Sequence, residues 1–241
     1  MKSKGYTLAE VLITLAVIGV IAAVVAPLIN KYRPDTTKIM YLKTYDAVVE
    51  SIDFLAKSND FYPLILKNDD GTLYDFSNNP LYNTSVVKLS DATFGGKNKL
   101  CATLAYVLSS NKSAECKPDY LEQDSVDTNW SSNKSFDSRN GAEFIVTTNR
   151  DDEGTIYKTD IYFDVNGTKG NNCLYSDNCK EPDRFKLSVS AKGQVYPTDP
   201  IGNAYLKNRH SVRKIDLEAI ENPIESWDVL NNKIVSKFQN P

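Results

Sequence analysis

The chain has 241 residues, of which 41% are hydrophobic, and its formal charge at neutral pH is -3. This length accommodates one good-sized globular domain beyond a membrane segment, and two such domains are not expected. The mildly acidic balance argues against a phosphate-binding surface over the whole domain, so nucleic-acid binding is not expected from charge, although it leaves room for a local basic patch.

The N-terminal segment joins a short basic leader to a long apolar run and reads MKSKGYTLAEVLITLAVIGVIAAVVAPLIN. The leader ends at Gly5, and the apolar run that follows contains one charged residue, Glu10. From Val11 to Ile29 nearly every residue is aliphatic, and this run is as long as a bilayer-spanning helix. We therefore predict a single transmembrane helix that ends near Ile29.

Glu10 is unusual, because a carboxylate near the start of a membrane segment loses hydration and needs a compensating partner. The segment GYTLAEVLITLAVIGVIAA, which starts at Gly5, resembles the N-terminus of type IV prepilins and type II secretion pseudopilins. In that family a prepilin peptidase cuts after the glycine and methylates the new N-terminus. The resemblance implies cleavage between Gly5 and Tyr6 and methylation at Tyr6, where the family more often has phenylalanine. It also implies that Glu10 acts in filament assembly.

The pairing of Glu10 follows from the charge that cleavage would create. A new amine at the tip of an apolar helix is a cation, and the Glu10 carboxylate of a neighbouring subunit is its natural partner. Because a buried unpaired charge is costly, such a pair selects the register between subunits more than it adds stability. The alternative is an ordinary membrane anchor in which the Glu10 side chain reaches the lipid headgroups.

The location and partners of the protein are implied by the same resemblance. It implies a single-pass protein of the cytoplasmic membrane, whose globular domain lies outside the cytoplasm and is assembled into a periplasmic or cell-surface filament. The implied partners are other pilin or pseudopilin subunits, prepilin peptidase and an inner-membrane assembly platform. A secretory signal cleaved after Ala26 is the competing interpretation, which Pro27 disfavours.

A second helical pattern follows Pro34. Its apolar residues recur at spacings of three and four, as on one face of an amphipathic helix; they are Ile39, Leu42, Tyr45, Val49, Ile52 and Leu55. We predict a leader over residues 1–5, a long helix over residues 6–58 and an exported globular domain over residues 59–241.

All four cysteines follow the hydrophobic segment, where an exported domain meets an oxidising environment, and their even number fits two disulfides. Sequence order favours Cys101 with Cys116 and Cys173 with Cys179, since each pair closes a short loop, but four cysteines allow three connectivities. A zinc site is the alternative. It is disfavoured because neither pair has the spacing of a zinc knuckle and His210 is remote in sequence.

The globular domain begins with a polar, turn-rich stretch after Asn59, which we interpret as an irregular connection. A short helix is predicted over Lys99–Ser110 from its apolar face. The segment Glu122–Asn140 is rich in Asp, Ser and Asn, so we predict an exposed loop in which Trp130 and Phe136 fold back as anchors.

Strand signals cluster in the second half of the chain. Alternating apolar residues predict a hairpin over Ala142–Thr148 and Thr155–Val165, followed by strands over Phe185–Val189 and Gln194–Tyr196. After Pro223 an apolar stripe predicts a short C-terminal helix, which packs on the domain or docks another filament protein. The predicted fold class is α+β and pilin-like, with the long N-terminal helix packed on a C-terminal antiparallel β-meander.

A possible calcium site is implied by a second resemblance. The segment Asp164–Phe185 resembles part of some minor pilin-like proteins, and some pseudopilins use calcium to pin this region. The alternative is a plain turn at Asn166 and Gly167 with solvated carboxylates, and the spacing lacks the full EF-hand pattern. No other cofactor is expected. The candidate oxygen ligands are Asp164, Asn166, Asp177 and Asp183.

No catalytic site is recognisable in the sequence. The single histidine, His210, lies among cations, and the chain has no nucleophile elbow, phosphate loop or dinucleotide fingerprint. We predict a non-enzymatic, minor structural subunit of a type IV pilus or a type II secretion-type pseudopilus. A DNA-uptake filament stays open, and a membrane-anchored exported binding or adhesion domain that does not polymerise is the alternative.

Overall fold

A computed structural model of the protein describes residues 7–32, 35–112, 114–116, 123–150 and 156–209. Two compact units make up the chain, and their boundary falls between Asp35 and Thr36. We call the second unit, whose described residues end at Arg209, the body. The predicted cleavage site at Gly5 and Tyr6 and the predicted helix after Pro223 lie outside the described residues.

The first unit contains helix α1, Leu8–Tyr32. Every described side chain from Thr7 to Ala26 is exposed. By length and composition, the span Leu8–Ala26 could cross a membrane. The predicted helix over residues 6–58 covers α1 and a second helix that begins at Thr36, and Arg33 and Pro34 between them lie outside the described residues.

Helix α2, Thr36–Lys57, lies in the core of the body. Its fully buried apolar residues are Tyr41, Val48, Ile52 and Leu55. The predicted stripe was partly wrong, because Ile39 is 38% exposed. The buried face includes the small polar residues Thr44 and Ser51, which a search for apolar residues does not find.

A five-stranded antiparallel sheet forms the second layer of the body, with its strands in chain order. Its strands are β5 (Phe136–Asp137), β6 (Glu143–Arg150), β7 (Ile156–Asp164), β8 (Arg184–Ser190) and β9 (Val195–Pro197). One face carries Phe163 and Phe185, whose rings lie 5.7 Å and 4.6 Å from the ring of Tyr41. Tyr41 stacks on Phe163 and meets Phe185 edge to face, and these ring contacts join α2 to the sheet. The predicted fold class, with its β-meander, is confirmed.

The stretch after Asn59 is more ordered than the predicted irregular connection. It forms two small hairpins, with strands β1 (Ile65–Lys67), β2 (Leu73–Asp75), β3 (Val87–Lys88) and β4 (Thr93–Phe94). In the first hairpin the Asp70 carboxylate accepts a hydrogen bond of 2.8 Å from the Thr72 amide, and Gly71 adopts φ +86°. Local turn chemistry therefore pairs strands too short to show a periodic pattern. Helix α3, Lys99–Leu108, agrees with the predicted helix.

The predicted exposed loop over Glu122–Asn140 was wrong. The segment contains helices α4 (Gln123–Thr128) and α5 (Trp130–Asn133) and strand β5. Both aromatic residues do fold back, since Trp130 and Phe136 are 4% and 5% exposed. Trp130 joins a second apolar cluster with Ile145 and Tyr162, which point to the other face of the sheet by alternation along their strands. Each face of the sheet thus packs against its own apolar cluster.

A short helix, α6 (Pro200–Lys207), was not predicted. Asp199 caps it, because its Oδ1 accepts a hydrogen bond of 2.6 Å from the Gly202 amide, and Pro200 suits the first turn. The helix packs on α2, where the ring centroids of Tyr205 and Tyr41 are 5.4 Å apart.

Candidate functional site

The start of α1 is a capping box formed by Thr7 and Glu10. The Thr7 amide and hydroxyl donate hydrogen bonds of 2.8 Å and 3.0 Å to Oε2 of Glu10, and the Glu10 amide donates one of 3.3 Å to the Thr7 hydroxyl. The carboxylate therefore caps its own helix. Since an ionised carboxylate accepts up to about four hydrogen bonds, it can still accept a further donor.

The remaining surface of α1 suits an apolar environment. Leu8, Ile13 and Val20 are 82%, 64% and 66% exposed. The hydroxyl of Thr14 donates a 2.9 Å hydrogen bond to the carbonyl of Val11, so this polar group is satisfied within the helix. A continuous apolar surface of this kind marks contact with lipid or with other proteins.

Comparison with known proteins bears on this segment. Residues 1–26 match the family model described as the prokaryotic N-terminal methylation motif. The chain carries a prepilin-type signal, that of type IV pilins and pseudopilins. The resemblance inferred from GYTLAEVLITLAVIGVIAA is therefore confirmed over these residues. No curated protein and no solved structure matches the chain.

The prepilin-type signal supports several functional conclusions at a coarse level. It supports a substrate of prepilin peptidase, and it suggests a structural rather than a catalytic protein. Together with the apolar α1, it suggests a membrane-anchored exported protein.

The cysteines of the body form two disulfides, Cys101 with Cys116 and Cys173 with Cys179. These are the pairs that sequence order favours. Over the residues that the structure describes, no group of three or more His, Cys, Asp or Glu side chains is placed to hold a metal ion. The thiols are thus used in cross-links rather than in a zinc site.

An ion-pair network lies where the segment between β7 and β8 meets the sheet. Arg184, which is 7% exposed, donates hydrogen bonds of 3.1 Å to Asp164 and 3.2 Å to Asp127. Its guanidinium carbon lies 4.3 Å from the ring centroid of Trp130. Burial raises the pKa of Asp164 to about 6, because its effect is larger than the opposing effect of the hydrogen bonds from Asn166 and Arg184. The hydrogen bond from Arg184 nevertheless pairs the Asp164 carboxylate with a buried cation.

The structure brings together three of the four candidate calcium ligands. Asp164 Oδ1 accepts a 3.1 Å hydrogen bond from the Asn166 amide, and the side chains of Asn166 and Asp183 both approach Gly170. Asp177 does not join them, because its side chain is fully exposed and pairs with Lys180 at 3.2 Å.

Sequence reasoning missed Asn172, which also lies at this place. Its side-chain amide donates a 3.2 Å hydrogen bond to the Gly170 carbonyl, and its φ is +51°. Asparagine is one of the few residues other than glycine that adopt a left-handed conformation. Nothing in the local sequence indicates that its side-chain oxygen is buried.

Proposed function

We propose that the protein is a minor structural subunit of a pilin-type filament, either a type IV pilus or a type II secretion-type pseudopilus. In this proposal prepilin peptidase cuts between Gly5 and Tyr6, the Tyr6 amine is methylated, and an inner-membrane assembly platform inserts the subunit into the filament. The observation that carries the proposal is the exposed apolar surface of α1 within the residues that match a prepilin-type signal.

The exposure of α1 supports the proposal. Every described side chain from Leu8 to Ala26 is exposed. In this proposal the apolar surface contacts lipid before assembly and the corresponding helices of other subunits after it. Burial of such a surface is favourable in proportion to its area, so helix bundling supplies a driving force.

The capping box sharpens the role of Glu10. In the single chain, Oε2 of Glu10 accepts both bonds from Thr7, so the orientation of the carboxylate is set within its own helix. A methylated amine from a neighbouring subunit would add a charged donor to a carboxylate that is already oriented. Such a charge-assisted hydrogen bond is stronger than a neutral one and selects one register.

The size of the body supports a minor rather than a major subunit. The predicted globular domain, residues 59–241, is large for the main repeating unit of such a filament. A large body at every position would crowd the filament surface, whereas one or a few copies fit at a tip or at scattered positions.

The experiment compares Glu10→Ala with Thr14→Val in cells that assemble the filament. Both substitutions remove a polar group from α1, but only Glu10 is proposed to pair between subunits. We expect Glu10→Ala to be processed and inserted in the membrane but lost from sheared filaments, and Thr14→Val to be incorporated like the wild type. Mass spectrometry of the mature protein should find a methylated Tyr6.

Three results would contradict the proposal. Incorporation of Glu10→Ala at the wild-type level would remove the assembly role of the carboxylate. A mature chain that begins at Pro27 would show processing by signal peptidase. A wild-type protein that stays in the membrane fraction and never enters a filament would instead favour the anchored binding domain.

A further inference from the structure

The first hairpin of the body, formed by β1 and β2, is a two-stranded sheet of its own. At its open end the Phe76 amide donates a 2.7 Å hydrogen bond to the Leu64 carbonyl, and at its turn the Asn68 amide donates one of 2.9 Å to the Thr72 carbonyl. Because both ends are hydrogen-bonded, the register of the hairpin is fixed within the single chain.

One face of this hairpin points to solvent. Ile65 lies opposite Asp75, and Lys67 lies opposite Leu73. Since side chains two positions apart and side chains directly opposite share a face, these four residues lie on the same face. All four are exposed, whereas Leu66, which points to the other face, is half-buried. The Leu66 face is therefore turned toward the body, and we call the face with the other four residues the outer face.

The outer face combines two exposed apolar side chains with two unpaired charges. Ile65 and Leu73 are 63% and 65% exposed and occupy one diagonal of the face. Lys67 and Asp75 occupy the other diagonal, and neither forms an ion pair in the described part of the chain. Oδ1 of Asp75 accepts a 2.8 Å hydrogen bond from the Ser77 amide, so the carboxylate can still accept another donor. An apolar centre flanked by charges is the composition of a protein contact.

The diagonal arrangement is complementary to itself. A two-fold axis along the Ile65–Leu73 diagonal would place each of these side chains against the same residue of a second copy, and Lys67 of each copy against Asp75 of the other. An axis parallel to the strands would instead place Ile65 against Asp75, and one across the strands would place it against Lys67. The other diagonal would place like charges together, which is unfavourable. With the first axis the strands of the two hairpins cross at a large angle, as in orthogonal sheet packing.

We propose that the outer face of the β1–β2 hairpin binds the same face of a second copy of this chain about a two-fold axis. Ile65 and Leu73 form the apolar centre of the contact, and two pairs between Lys67 and Asp75 flank it and fix its orientation. Four side chains from each copy bury less area than a stable dimer in dilute solution needs, so the contact forms where copies are held close together, as on a membrane. It uses no residue of α1, and its failure would leave the proposed role of Glu10 untouched.

Cross-linking of the full chain in membranes tests the geometry. The native cysteines form two disulfides, so an introduced thiol is the reactive one. Because stacked sheets lie about 10 Å apart, a short bismaleimide is used rather than direct disulfide formation. We expect Ile65→Cys and Leu73→Cys, whose side chains lie on the axis, to give cross-linked dimers.

Two further cysteine variants are the controls. Tyr74→Cys is the matched one, because Tyr74 is 48% exposed on the opposite face of the same strand as Leu73. Val86→Cys measures random collision, since Val86 is 72% exposed and lies outside the hairpin. Both controls should give at least about 5-fold less dimer than Leu73→Cys, because their side chains are not on the outer face.

Charge reversal tests the pairing of Lys67 with Asp75. In the Leu73→Cys background, Lys67→Asp and Asp75→Lys should each lower the yield of dimer by about 10-fold, because symmetry turns two attractive pairs into two repulsive ones. The double variant Lys67→Asp/Asp75→Lys should recover the yield, since both pairs are restored with the charges exchanged. Lys88→Asp, which reverses an exposed charge on β3, is the control and should leave the yield unchanged.

Three outcomes would overturn the proposal. Equal yields from Leu73→Cys, Tyr74→Cys and Val86→Cys would show that collision alone joins the chains. A yield that single charge reversal leaves unchanged would show that the outer face meets no second copy in this orientation. A double variant with a yield as low as that of the single variants would show that the two charges do not face each other. Every substituted residue is exposed, so the variants are expected to fold, and their unfolding temperatures check this.

Discussion

Helices α1 and α2 have similar lengths, 25 and 22 residues, but they differ in the exposure of their side chains. The described side chains of α1, Leu8 to Ala26, are all exposed, whereas Val48, Ile52 and Leu55 of α2 are completely buried. A helix that is apolar on every side has no polar face to turn to water, so its partner must be lipid or another protein. An amphipathic helix instead specifies a partner within its own fold.

The polar groups of the two units differ in the same way. In α1, the hydrogen bonds of Thr7, Glu10 and Thr14 all stay within one turn of helix. In the body, polar side chains reach distant parts of the chain. Lys99, for example, donates a 2.9 Å hydrogen bond to the Ser85 carbonyl, and burial lowers its pKa to about 8. Local pairing suits a helix whose surroundings are apolar, and long-range pairing suits a fixed core.

The largest expected effect is the difference in unfolding free energy between the variants Ile52→Ala and Ile18→Ala. Ile52→Ala leaves a cavity between α2 and the sheet and should reduce the free energy of unfolding of the body by about 4 kcal/mol. Ile18 is 62% exposed, so Ile18→Ala should change that free energy by less than about 0.5 kcal/mol. Urea unfolding of the full chain in detergent, followed by tryptophan fluorescence, measures both. Equal losses in the two variants would contradict the contrast between the helices.

An intermediate effect on stability is expected from the titration of Asp199 as the pH changes. This residue caps α6 and lies beside Tyr41 of α2. Burial raises the pKa of Asp199 to about 6 from its usual value of 3.8. The folded state therefore binds the proton more tightly, and this contribution to stability is complete below about pH 4 and lost as pH rises through about 6. A shift of two units corresponds to about 3 kcal/mol.

The variant Asp199→Asn isolates this contribution, because asparagine also accepts the capping hydrogen bond from Gly202 but does not titrate. The wild type should gain stability relative to Asp199→Asn between pH 7 and pH 4, as measured by urea unfolding at each pH. Parallel pH profiles for the two proteins would show that the carboxyl does not titrate differently in the folded state.

The smallest expected effect is at the start of α1. Thr7→Ala removes the capping hydroxyl and should destabilise the first turn by about 1 kcal/mol. Amide hydrogen exchange in detergent micelles should speed up near Glu10, while the unfolding of the body stays unchanged. Thr14→Ala is the control, since its hydroxyl bonds to the Val11 carbonyl and caps nothing. A shift in the unfolding of the body by Thr7→Ala would show that the cap acts beyond its own helix.

Several features could be predicted because they depend on neighbours in sequence. The alternation of apolar residues in β7 and β8 predicted the meander, and the short spacing of Cys173 and Cys179 favoured their pairing. Other features could not be predicted. Which face of α2 is buried depends on the contact between Tyr41 and Phe185. The helices within Glu122–Asn140 form because Trp130 packs on the second face of the sheet.

The sequence by itself determined the prepilin-type signal, the apolar α1 and the position of Glu10, because each is a contiguous pattern that needs no folded partner to be recognised. Only the tertiary structure decided which polar side chains lie near Gly170. It assigned Asp164 to Arg184, left an oxygen of Asp183 unpaired and placed Asn172 beside it. The physical reason is that the pairing of a buried charge depends on what the fold brings within about 4 Å, and distance along the chain does not report that.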